Sequence, residues 1–455
     1  MKKIDLQTLA GFTDTKSTAA PSAGVTRVTT DSRKVGVGDV FIALKGDKFD
    51  AHDFIPQVIA DGATAVVVNR VEAAWDTGSC AVIHVSDTLT ALQDMARGYR
   101  CWHQPLIIGL TGSNGKTSTK DLTAIIMARK FQTLATFGNL NNHIGLPLTL
   151  LSLGEGDECG VVEMGMNHEG EIKTLVDIAL PDAAIVTNVG MAHIEYLGSQ
   201  DAIGWEKGTL PANVHGEGVV VLNANDSYSD LIARHCQATV YRAGVNAGDV
   251  RAFDLRASAE GTAFKLDFSG EIVENFLPII GEHMVGNAAL AACMGWAYGI
   301  TPADIADALR QAKLTGGRME AKSVRGIHFI DDSYNANPDS MKAGLSALAA
   351  LNSSGRKVAV LGRMGELGIH AEEGYRSVGT HAAALGLSVI YTVGDEAASI
   401  SNTSRFLGHS EARNFPSHEA CADHLKEELQ PGDAVLLKGS RSAGMEKILA
   451  LFQTS

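Results

Sequence analysis

The stretch at residues 111–118, with the sequence TGSNGKTS, constrains the fold of this chain more than any other feature. It follows an apolar run at residues 106–110 and precedes apolar positions at helical spacing over residues 117–130. A buried strand, a glycine turn and a helix N-terminus in this order predict a phosphate-binding loop, because backbone N–H groups and the helix dipole converge on one anion. Leu110 stands where the strict pattern has glycine, so the loop is a variant form.

The residue types of this loop suit a nucleoside triphosphate bound together with its metal ion. Lys116 would place a full positive charge beside the phosphates, and Thr117 would offer a hydroxyl oxygen to Mg²⁺. The alternative interpretation is an ordinary glycine turn followed by an exposed lysine. We expect bound ATP to contact Gly112, Ser113, Asn114, Gly115, Lys116, Thr117 and Ser118.

Length, charge and cysteine usage limit the class of protein. The 455 residues predict about three domains, each large enough for its own core. A formal net charge of -14 argues against a nucleic-acid partner or an anionic membrane, since phosphate groups are bound by basic surfaces. The six cysteines lack C-x-x-C pairs and metal-ligand spacing, which favours reduced thiols. No apolar stretch is long enough for a membrane span, so we expect a cytoplasmic protein without membrane insertion.

Alternating strand and helix patterns predict an α/β fold in three domains. A small α/β unit is expected at residues 1–104, a nucleotide-binding domain with a parallel-rich sheet at residues 105–315, and a Rossmann-like domain without a phosphate loop of its own at residues 316–455. The predicted strands include residues 39–44, 65–68, 159–163, 183–188, 326–332, 357–362, 389–394 and 434–439.

Polar residues follow several predicted strands, at the sheet edge where open α/β folds bind ligands. Glu163 ends one such strand and could reach a metal ion on the phosphates, or cap a neighbouring helix. Asp332 ends another and could contact a ribose or a metal, or cap a helix. His193 on its own more often has a structural role, and the asparagine-rich loop around Asn141 and Asn142 either turns or binds.

In the first domain, Asp31, Ser32 and Arg33 precede a glycine turn. An arginine and backbone amides at such a place could hold a diphosphate. A surface salt bridge between Asp31 and Arg33 explains the same residues equally well.

Several motifs together resemble the Mur ligases, the ATP-dependent amino-acid ligases of peptidoglycan synthesis, over nearly the whole chain. The loop TGSNGKT is this family's version of the phosphate loop, which accounts for Leu110. The Asp-Asn-Pro-Arg sequence typical of the family member that adds meso-diaminopimelate is absent from the sequence. The other matching stretches are NNHIGLPLTL at residues 141–150, EMGMNHEGEI at residues 163–172 and DDSYNANPDSM at residues 331–341.

The sequence departs from the family pattern at four positions. Met284 replaces a usual asparagine, Arg363 a usual aspartate, Ala51 a common glycine and Thr209 a frequent glutamate. The asparagine expected to read adenine, Asn287, is kept.

The resemblance implies an ADP-producing ligase that joins D-alanyl-D-alanine to the terminal carboxylate of UDP-N-acetylmuramoyl-tripeptide through an acyl phosphate. This is a cytoplasmic step of cell-wall precursor synthesis, on which cell shape and division depend, and it requires ATP and Mg²⁺. The third residue of the tripeptide is diaminopimelate or lysine. We expect the enzyme to act as a monomer on these small molecules.

The resemblance also assigns roles to individual residues. Lys116, His193 and Lys207 would be catalytic; Thr117, Glu163, His193 and a carbamate on Lys207 would hold Mg²⁺. Asn287, Arg318 and Asp332 would add adenine, phosphate and ribose contacts to those of the loop. Asp31, Ser32, Arg33, Asn141 and Asn142 would bind the uridine-linked substrate, and Asn335, Asn337 and Ser340 would face the dipeptide.

Two other functions remain in view at this point. Another ligase of the same family, or a folylpolyglutamate synthase, would use single amino acids instead of a dipeptide. A P-loop regulatory ATPase would hydrolyse ATP without any amine acceptor, but it leaves the histidine, lysine and asparagine motifs unexplained.

Overall fold

The computed structural model describes residues 1–13, 15 and 23–454. Four sheets carry the fold: a two-stranded ribbon and sheets of four, six and nine strands. The three larger sheets belong to successive parts of the chain, and helices cover them, so the predicted three-domain α/β fold is confirmed.

The N-terminal unit is a small parallel sheet with one long helix. Its four strands run in the order β3-β4-β5-β6, all parallel, while β1 and β2 pair antiparallel beside them. Its elements are β1 (Ile4–Asp5), α1 (Leu6–Ala10), β2 (Gly24–Val25), β3 (Arg27–Thr29), β4 (Asp39–Ile42), α2 (Ile55–Ala60), β5 (Ala65–Val68), β6 (Ala81–His84) and α3 (Thr88–His103), with 3-10 turns at Ser32–Lys34 and Ala51–Phe54.

The middle unit is built on the nine-stranded sheet, ordered β15-β14-β13-β12-β11-β10-β7-β9-β8. All strands from β13 to the edge strand β8 are parallel. At the other edge, β14 and β15 extend the sheet in antiparallel pairing. Its elements are β7 (Leu106–Thr111), α4 (Lys116–Met127), β8 (Thr133–Ala135), α5 (Gly145–Leu151), β9 (Cys159–Glu163), α6 (Glu171–Ala179), β10 (Ala183–Val186), α7 (Ile194–Leu197), α8 (Gln200–Ala212), β11 (Val219–Asn223), α9 (Ser229–Ala233), β12 (Thr239–Val245), β13 (Val250–Ser258), β14 (Gly261–Phe268), β15 (Glu271–Leu277), α10 (Glu282–Ala297) and α11 (Pro302–Arg310).

The C-terminal unit is a six-stranded sheet in the order β16-β17-β21-β18-β19-β20, parallel except for β16. Its elements are β16 (Glu320–Val324), β17 (Ile327–Asp332), α12 (Pro338–Ala350), β18 (Lys357–Leu361), α13 (Ala371–Ala384), β19 (Val389–Val393), α14 (Ala398–Phe406), β20 (Ala412–Phe415), α15 (His418–Glu428), β21 (Ala434–Lys438) and α16 (Glu446–Gln453), with 3-10 turns at Gly368–His370 and Arg441–Ala443.

Two large hydrophobic cores each extend across a boundary between units. One core joins apolar residues of α10 in the middle unit to apolar residues of α12 in the C-terminal unit. The other joins α3 of the N-terminal unit to α5 and α6 of the middle unit. Burial of apolar surface across both boundaries packs the three units against each other, so that the sheet edges can share one cleft.

The predicted strands are present, and several end earlier than expected. The strand expected at residues 39–44 ends at Ile42, and the one expected at residues 183–188 ends at Val186. One more hydrogen bond to the neighbouring strand follows each end, from the N–H of Ala43 to Val67 and from the N–H of Thr187 to Thr111, before the chain leaves the sheet. Among the described residues, no helix has the length and apolar character needed to cross a bilayer.

A buried tyrosine connects the N-terminal unit to the middle unit. The hydroxyl of Tyr99 on α3 donates to the carbonyl oxygen of Leu153 at 2.6 Å and accepts from the backbone N–H of Lys2 at 2.7 Å. Tyr99 is fully buried, and this burial raises the pKa of its hydroxyl to about 12. The N–H of Lys2 also donates to the carbonyl oxygen of Leu153 at 3.1 Å, so the hydroxyl completes a small hydrogen-bond network between the two units.

We predict that Tyr99→Phe lowers the free energy of unfolding by about 1–2 kcal/mol, because it removes both hydrogen bonds inside the protein. Urea unfolding measures this change. Tyr196→Phe is the matched control, since the Tyr196 side chain is half exposed. Equal effects of the two substitutions would contradict the structural role of the Tyr99 hydroxyl.

Candidate active site

One large cleft lies where the carboxyl ends of the middle and C-terminal sheets face each other. Its volume of about 1640 Å³ exceeds that of a usual single-ligand pocket, so it has room for a nucleotide and a second molecule. The residues expected at the site that line it are Ser113, Asn114, Gly115, Lys116, Thr117, Ser118, Asn141, Asn142, Glu163, His193, Asn287, Arg318, Asp332, Asn335, Asn337 and Ser340.

The phosphate loop takes the expected strand–turn–helix form between β7 and α4. Gly115 has a φ of +76°, a left-handed conformation that favours glycine. A Cβ atom there would lie 2.6 Å from the side-chain oxygen of Asn287. Both the left-handed φ and the lack of space for a Cβ atom therefore favour glycine at position 115. Asn287 of α10, which was expected to contact adenine, lies directly against the loop.

Lys116 folds back over the loop. Its Nζ donates to the carbonyl oxygen of Gly112 at 2.7 Å. Enclosure of the ammonium lowers its pKa, the carboxylate of Glu163 opposes this effect, and the charge of Arg318 adds to it. A phosphate bound at the loop would supply the negative charge that this ammonium lacks.

Thr117 and Glu163 converge at the helix N-terminus. The hydroxyl of Thr117 donates to Oε2 of Glu163 at 2.8 Å, and the side-chain amide of Asn141 donates to Oε1 at 2.9 Å. Thr117 and Glu163 are buried. This pair presents hydroxyl and carboxylate oxygens, the donors that Mg²⁺ prefers.

Arg318 reaches this pair from beyond the C-terminal end of α11. Its Nη2 donates to Oγ1 of Thr117 at 2.8 Å, and its guanidinium stacks 4.0 Å from the ring centroid of Tyr334. Its Nε is buried and has no hydrogen-bond partner among the described residues. A buried, unused donor beside the phosphate loop suits a phosphate oxygen.

His193 lies at the N-terminus of α7 and meets the C-terminal unit. Its Nδ1 lies 2.6 Å from a carboxylate oxygen of Glu366, and this contact lowers the pKa of Glu366. Both residues have left-handed backbone conformations, with φ of +66° and +58°. Such strain at non-glycine residues is concentrated at functional sites and persists only where surrounding contacts maintain it.

Lys207 is buried on α8 and does not line the cleft. Burial lowers the pKa of Lys207 well below its usual value, and the charge of Lys116 lowers it further. The adjacent Glu206 opposes this shift, but its carboxylate accepts hydrogen bonds from the backbone N–H groups of Gly170 and Ile172. The amine of Lys207 is therefore neutral more readily than that of an ordinary lysine.

Asp332 lies at the carboxyl end of β17, as expected, and is held by a lysine that the sequence analysis did not assign. Nζ of Lys438 is 2.6 Å from Oδ2 of Asp332 and 3.1 Å from the carbonyl oxygen of Asn335. The nearby ring of His283 is partly buried, and this burial lowers its pKa to about 4. Asp332 is thus a fixed carboxylate next to a neutral imidazole.

Asn337 and Ser340, expected on the dipeptide side, have local structural roles. They form a reciprocal capping box at the start of α12. The side-chain amide of Asn337 also donates to Oδ1 of Asn114 in the phosphate loop at 2.7 Å. Both residues line the cleft, but most of their polar atoms already have protein partners.

Of the residues expected to bind the uridine-linked substrate, Asn141 and Asn142 line this cleft, and those of the N-terminal unit lie apart from it. Asp31 caps the 3-10 turn at Ser32–Lys34, and Arg33 pairs with Asp31 at 2.8 Å with its side chain largely exposed. These residues and Ser32 are not among those that line the cleft. The structure contains the salt bridge that was the alternative interpretation, and the expected substrate contact stays a prediction.

The four departures from the family pattern have local contacts. Met284 is buried, and its sulfur accepts from the side-chain amide of Asn287 at 3.8 Å. Arg363 pairs with Glu396, Thr209 donates to the carbonyl oxygen of Trp205, and Ala51 starts a 3-10 turn.

Sequence reasoning missed several cleft residues that the structure identifies. Glu366, Asp339 and Lys438 all line the cleft. Lys438 ends a predicted strand, so the strand-end signal that found Asp332 could also have found it. Asp339 accepts from the backbone N–H of Met191 at 2.9 Å, a contact between units that sequence spacing does not reveal.

Comparison with known proteins assigns the whole chain to one family. Residues 24–100 match the profile of the Mur ligase family catalytic domain, residues 110–295 the Mur ligase middle domain, and residues 317–441 the glutamate ligase domain of Mur ligases. The UDP-N-acetylmuramoyl-tripeptide–D-alanyl-D-alanine ligase of Bacillus subtilis is 38% identical over 428 residues, covering 93% of this chain and 92% of that protein.

Solved structures agree with this assignment. A crystal structure of MurF from Acinetobacter baumannii has a TM-score of 0.91 and 32% identity, with 100% of both chains covered. The MurF ligase of Thermotoga maritima in complex with ADP has a TM-score of 0.84 and 28% identity, covering 94% of this chain and 97% of that one.

We predict that Gly115→Ala lowers the affinity for ATP at least about tenfold, because the new Cβ collides with Asn287 and strains the loop. Isothermal titration calorimetry with ATP measures the effect. Gly386→Ala is the matched control: it has a φ of +64° and no atom within 4 Å of the added Cβ. Equal ATP affinity in wild type and Gly115→Ala would contradict the loop assignment.

Proposed function

Because the chain belongs to the Mur ligase family, we infer that it is an ATP-dependent ligase that joins D-alanyl-D-alanine to the terminal carboxylate of UDP-N-acetylmuramoyl-tripeptide. The observation that carries this conclusion is the identity of 38% over 93% of the chain with a ligase of that name. The chemistry of the cleft supports it, because a phosphate loop faces a second sheet edge across a space large enough for two ligands.

A carboxylate and an amine do not condense in water, so the carboxylate must first be activated. We propose that the tripeptide carboxylate attacks the γ-phosphate of ATP, with loss of ADP, and that the amine of D-alanyl-D-alanine then displaces phosphate from the acyl phosphate. Phosphoryl transfer depends on positioning and charge compensation. Lys116 and Arg318 are the cations at the loop that supply this compensation.

The residues present suit Mg²⁺ at the phosphate loop. Glu163 and Thr117 offer buried hard oxygen donors 2.8 Å apart, and we propose that they hold the ion. A bound Mg²⁺ would neutralise negative charge on the phosphates while the phosphoryl group is transferred from ATP to the carboxylate. Among the described residues there is no group of three His, Cys, Asp or Glu side chains that could hold a metal ion. Phosphate oxygens and water would supply the other ligands that Mg²⁺ needs.

A second ion position requires chemistry at Lys207. We propose that the neutral amine of Lys207 adds CO₂, releases a proton and becomes an anionic carbamate that ligates Mg²⁺ together with His193. The lowered pKa of Lys207 supports this step, since only the unprotonated amine reacts. Burial of the side chain also protects the carbamate from exchange with bulk water.

We propose further that the protein acts as a cytoplasmic monomer. Residues of a single chain line the cleft from both sheets, and the six cysteines are unpaired, as expected in a reducing compartment. Asp31, Ser32, Arg33, Asn141 and Asn142 would bind the uridine-linked substrate. Asn287 would contact adenine and Asp332 the ribose.

The function is tested by phosphate release from ATP with UDP-N-acetylmuramoyl-tripeptide and a panel of amines. Two forms of the tripeptide, with diaminopimelate or lysine as the third residue, determine which one the enzyme accepts. We expect stoichiometric phosphate release only with D-alanyl-D-alanine among the amines. Release with single amino acids would identify another ligase of the family, and release without any amine would identify a regulatory ATPase.

We predict that Lys116→Ala lowers the ligation rate by roughly 10²- to 10³-fold, because one preorganised charge contact to the phosphates is lost. The thermal unfolding midpoint should stay close to that of wild type, since within the described residues the hydrogen bond of the Nζ is made to its own loop. Steady-state phosphate release measures the rate. Near-normal turnover would refute the role of the lysine.

We predict that Lys207→Ala loses most of its activity, and that acetate or formate partly restores it by placing a carboxylate in the vacated space. Chloride at matched ionic strength is the control. A second readout is independent of turnover: ¹³C NMR of the wild-type enzyme in ¹³C-bicarbonate should show a carbamate signal that the variant lacks. Full activity of the variant without acetate would remove Lys207 from the mechanism.

A further inference from the structure

The C-terminal sheet has a topological switch point beside β21. Helices α12, α13 and α14 pack on one face of the sheet, and α15 and α16 pack on the other. The chain therefore leaves β18 toward one face and leaves β21, its neighbour, toward the opposite face. Adjacent loops that diverge in this way open a crevice at the carboxyl ends of the strands, which is where open α/β sheets bind ligands.

The two loops that form this crevice are packed directly against each other. The backbone N–H of Ser440, after β21, donates to the carbonyl oxygen of Arg363, after β18, at 2.8 Å. A Cβ on Gly362 would lie 2.5 Å from the sulfur of Met445, so the two loops are in close contact at this glycine. The backbone on both sides of the crevice is thus well defined.

Each loop brings one arginine to the cleft, Arg363 from the first and Arg441 from the second. Their side chains are 45% and 71% exposed, so their charges are available to a ligand. Arg363 contacts Glu396 at 3.1 Å through Nε, and Arg441 contacts Glu446 at 3.4 Å through Nη1. The third cation of this sheet edge, Lys438, is buried and already neutralised by Asp332.

Two acidic groups of the C-terminal unit that line the same cleft already have partners. Glu366 pairs with His193, and Asp339 accepts from the backbone of Met191. Asn337 and Ser340 are used in the capping box of α12. Each of the two exposed guanidinium groups contacts one carboxylate within the described residues, and a guanidinium has five N–H donors, so donors remain for a ligand.

We propose that Arg363 and Arg441 form a carboxylate subsite that binds the C-terminal carboxylate of the dipeptide substrate. The proposal rests on the proposed function, in which a small peptide with a reacting amine at one end and a free carboxylate at the other enters from this side. Guanidinium groups bind carboxylates with bidentate geometry, so anchoring the carboxylate would direct the amine toward the phosphate loop. Free carboxylates of the uridine-linked tripeptide have the same chemistry and are the competing source.

The test measures KM for each of the three substrates in Arg363→Gln, Arg441→Gln and the double variant. Arg376→Gln is the matched control, because Arg376 is an exposed arginine on α13 outside the cleft. The second arm compares D-alanyl-D-alanine with its C-terminal amide, which keeps the amine and removes the charge. In the wild type, this comparison tests the carboxylate contact without any substitution in the protein.

We expect each cleft variant to raise KM for the dipeptide by roughly 10- to 100-fold, which corresponds to the usual loss when one hydrogen bond to a charged group is removed. KM for ATP and for the tripeptide should stay near that of wild type. Wild type should discriminate against the amide by a similar factor, and the double variant should lose this discrimination.

A rise in KM for the tripeptide in place of the dipeptide would overturn the proposal and assign the arginines to the other substrate. Equal use of acid and amide by the wild type would also overturn it. Failure of the wild type to form product with D-alanyl-D-alanine would instead reject the proposed function, so the two failures are distinguishable.

Discussion

The site depends on contacts that hold the C-terminal unit against the phosphate loop. A phosphate loop alone binds and can hydrolyse a nucleotide; joining two molecules requires a second surface that positions the acceptor. In this structure the second surface is the carboxyl edge of another parallel sheet, and apolar packing between α10 and α12 brings the two edges together. The polar contacts across the boundary are Arg318 with Thr117, Asn337 with Asn114, Asp339 with Met191 and Glu366 with His193.

Electrostatics explains why these contacts are compatible with nucleotide binding. Lys116 and Lys207 both have lowered pKa values, and the charge of Lys116 contributes to the shift of Lys207. An anion at the loop would relieve the enclosure of Lys116. A carbamate on Lys207 would replace a second amine with a negative group, so the repulsion between the two positions would become an attraction. The two lysines thus favour negatively charged ligands at this site.

The fold and many of the residues that line the cleft could be predicted from the sequence for identifiable reasons. The loop around Gly115, the strand-end Glu163 and Asp332 all follow from local patterns, because strand ends and glycine turns leave direct signals in the sequence. Glu366 and Asp339 were missed because their roles arise only when distant units pack together. Asn337 and Ser340 were assigned to a ligand, yet a capping box is an equally local signal in the same residues. The spacing of residues in the sequence alone does not distinguish a helix-capping residue from a ligand-binding residue.

The central claim is that this cleft activates a carboxylate as an acyl phosphate before the amine attacks. Mass spectrometry of the phosphate released after ligation, with ¹⁸O in the terminal carboxylate of the tripeptide, tests this claim most directly. The account predicts that one ¹⁸O atom per product formed moves into inorganic phosphate, while ADP remains unlabelled. Phosphate without ¹⁸O in a reaction that yields ligated product would contradict it.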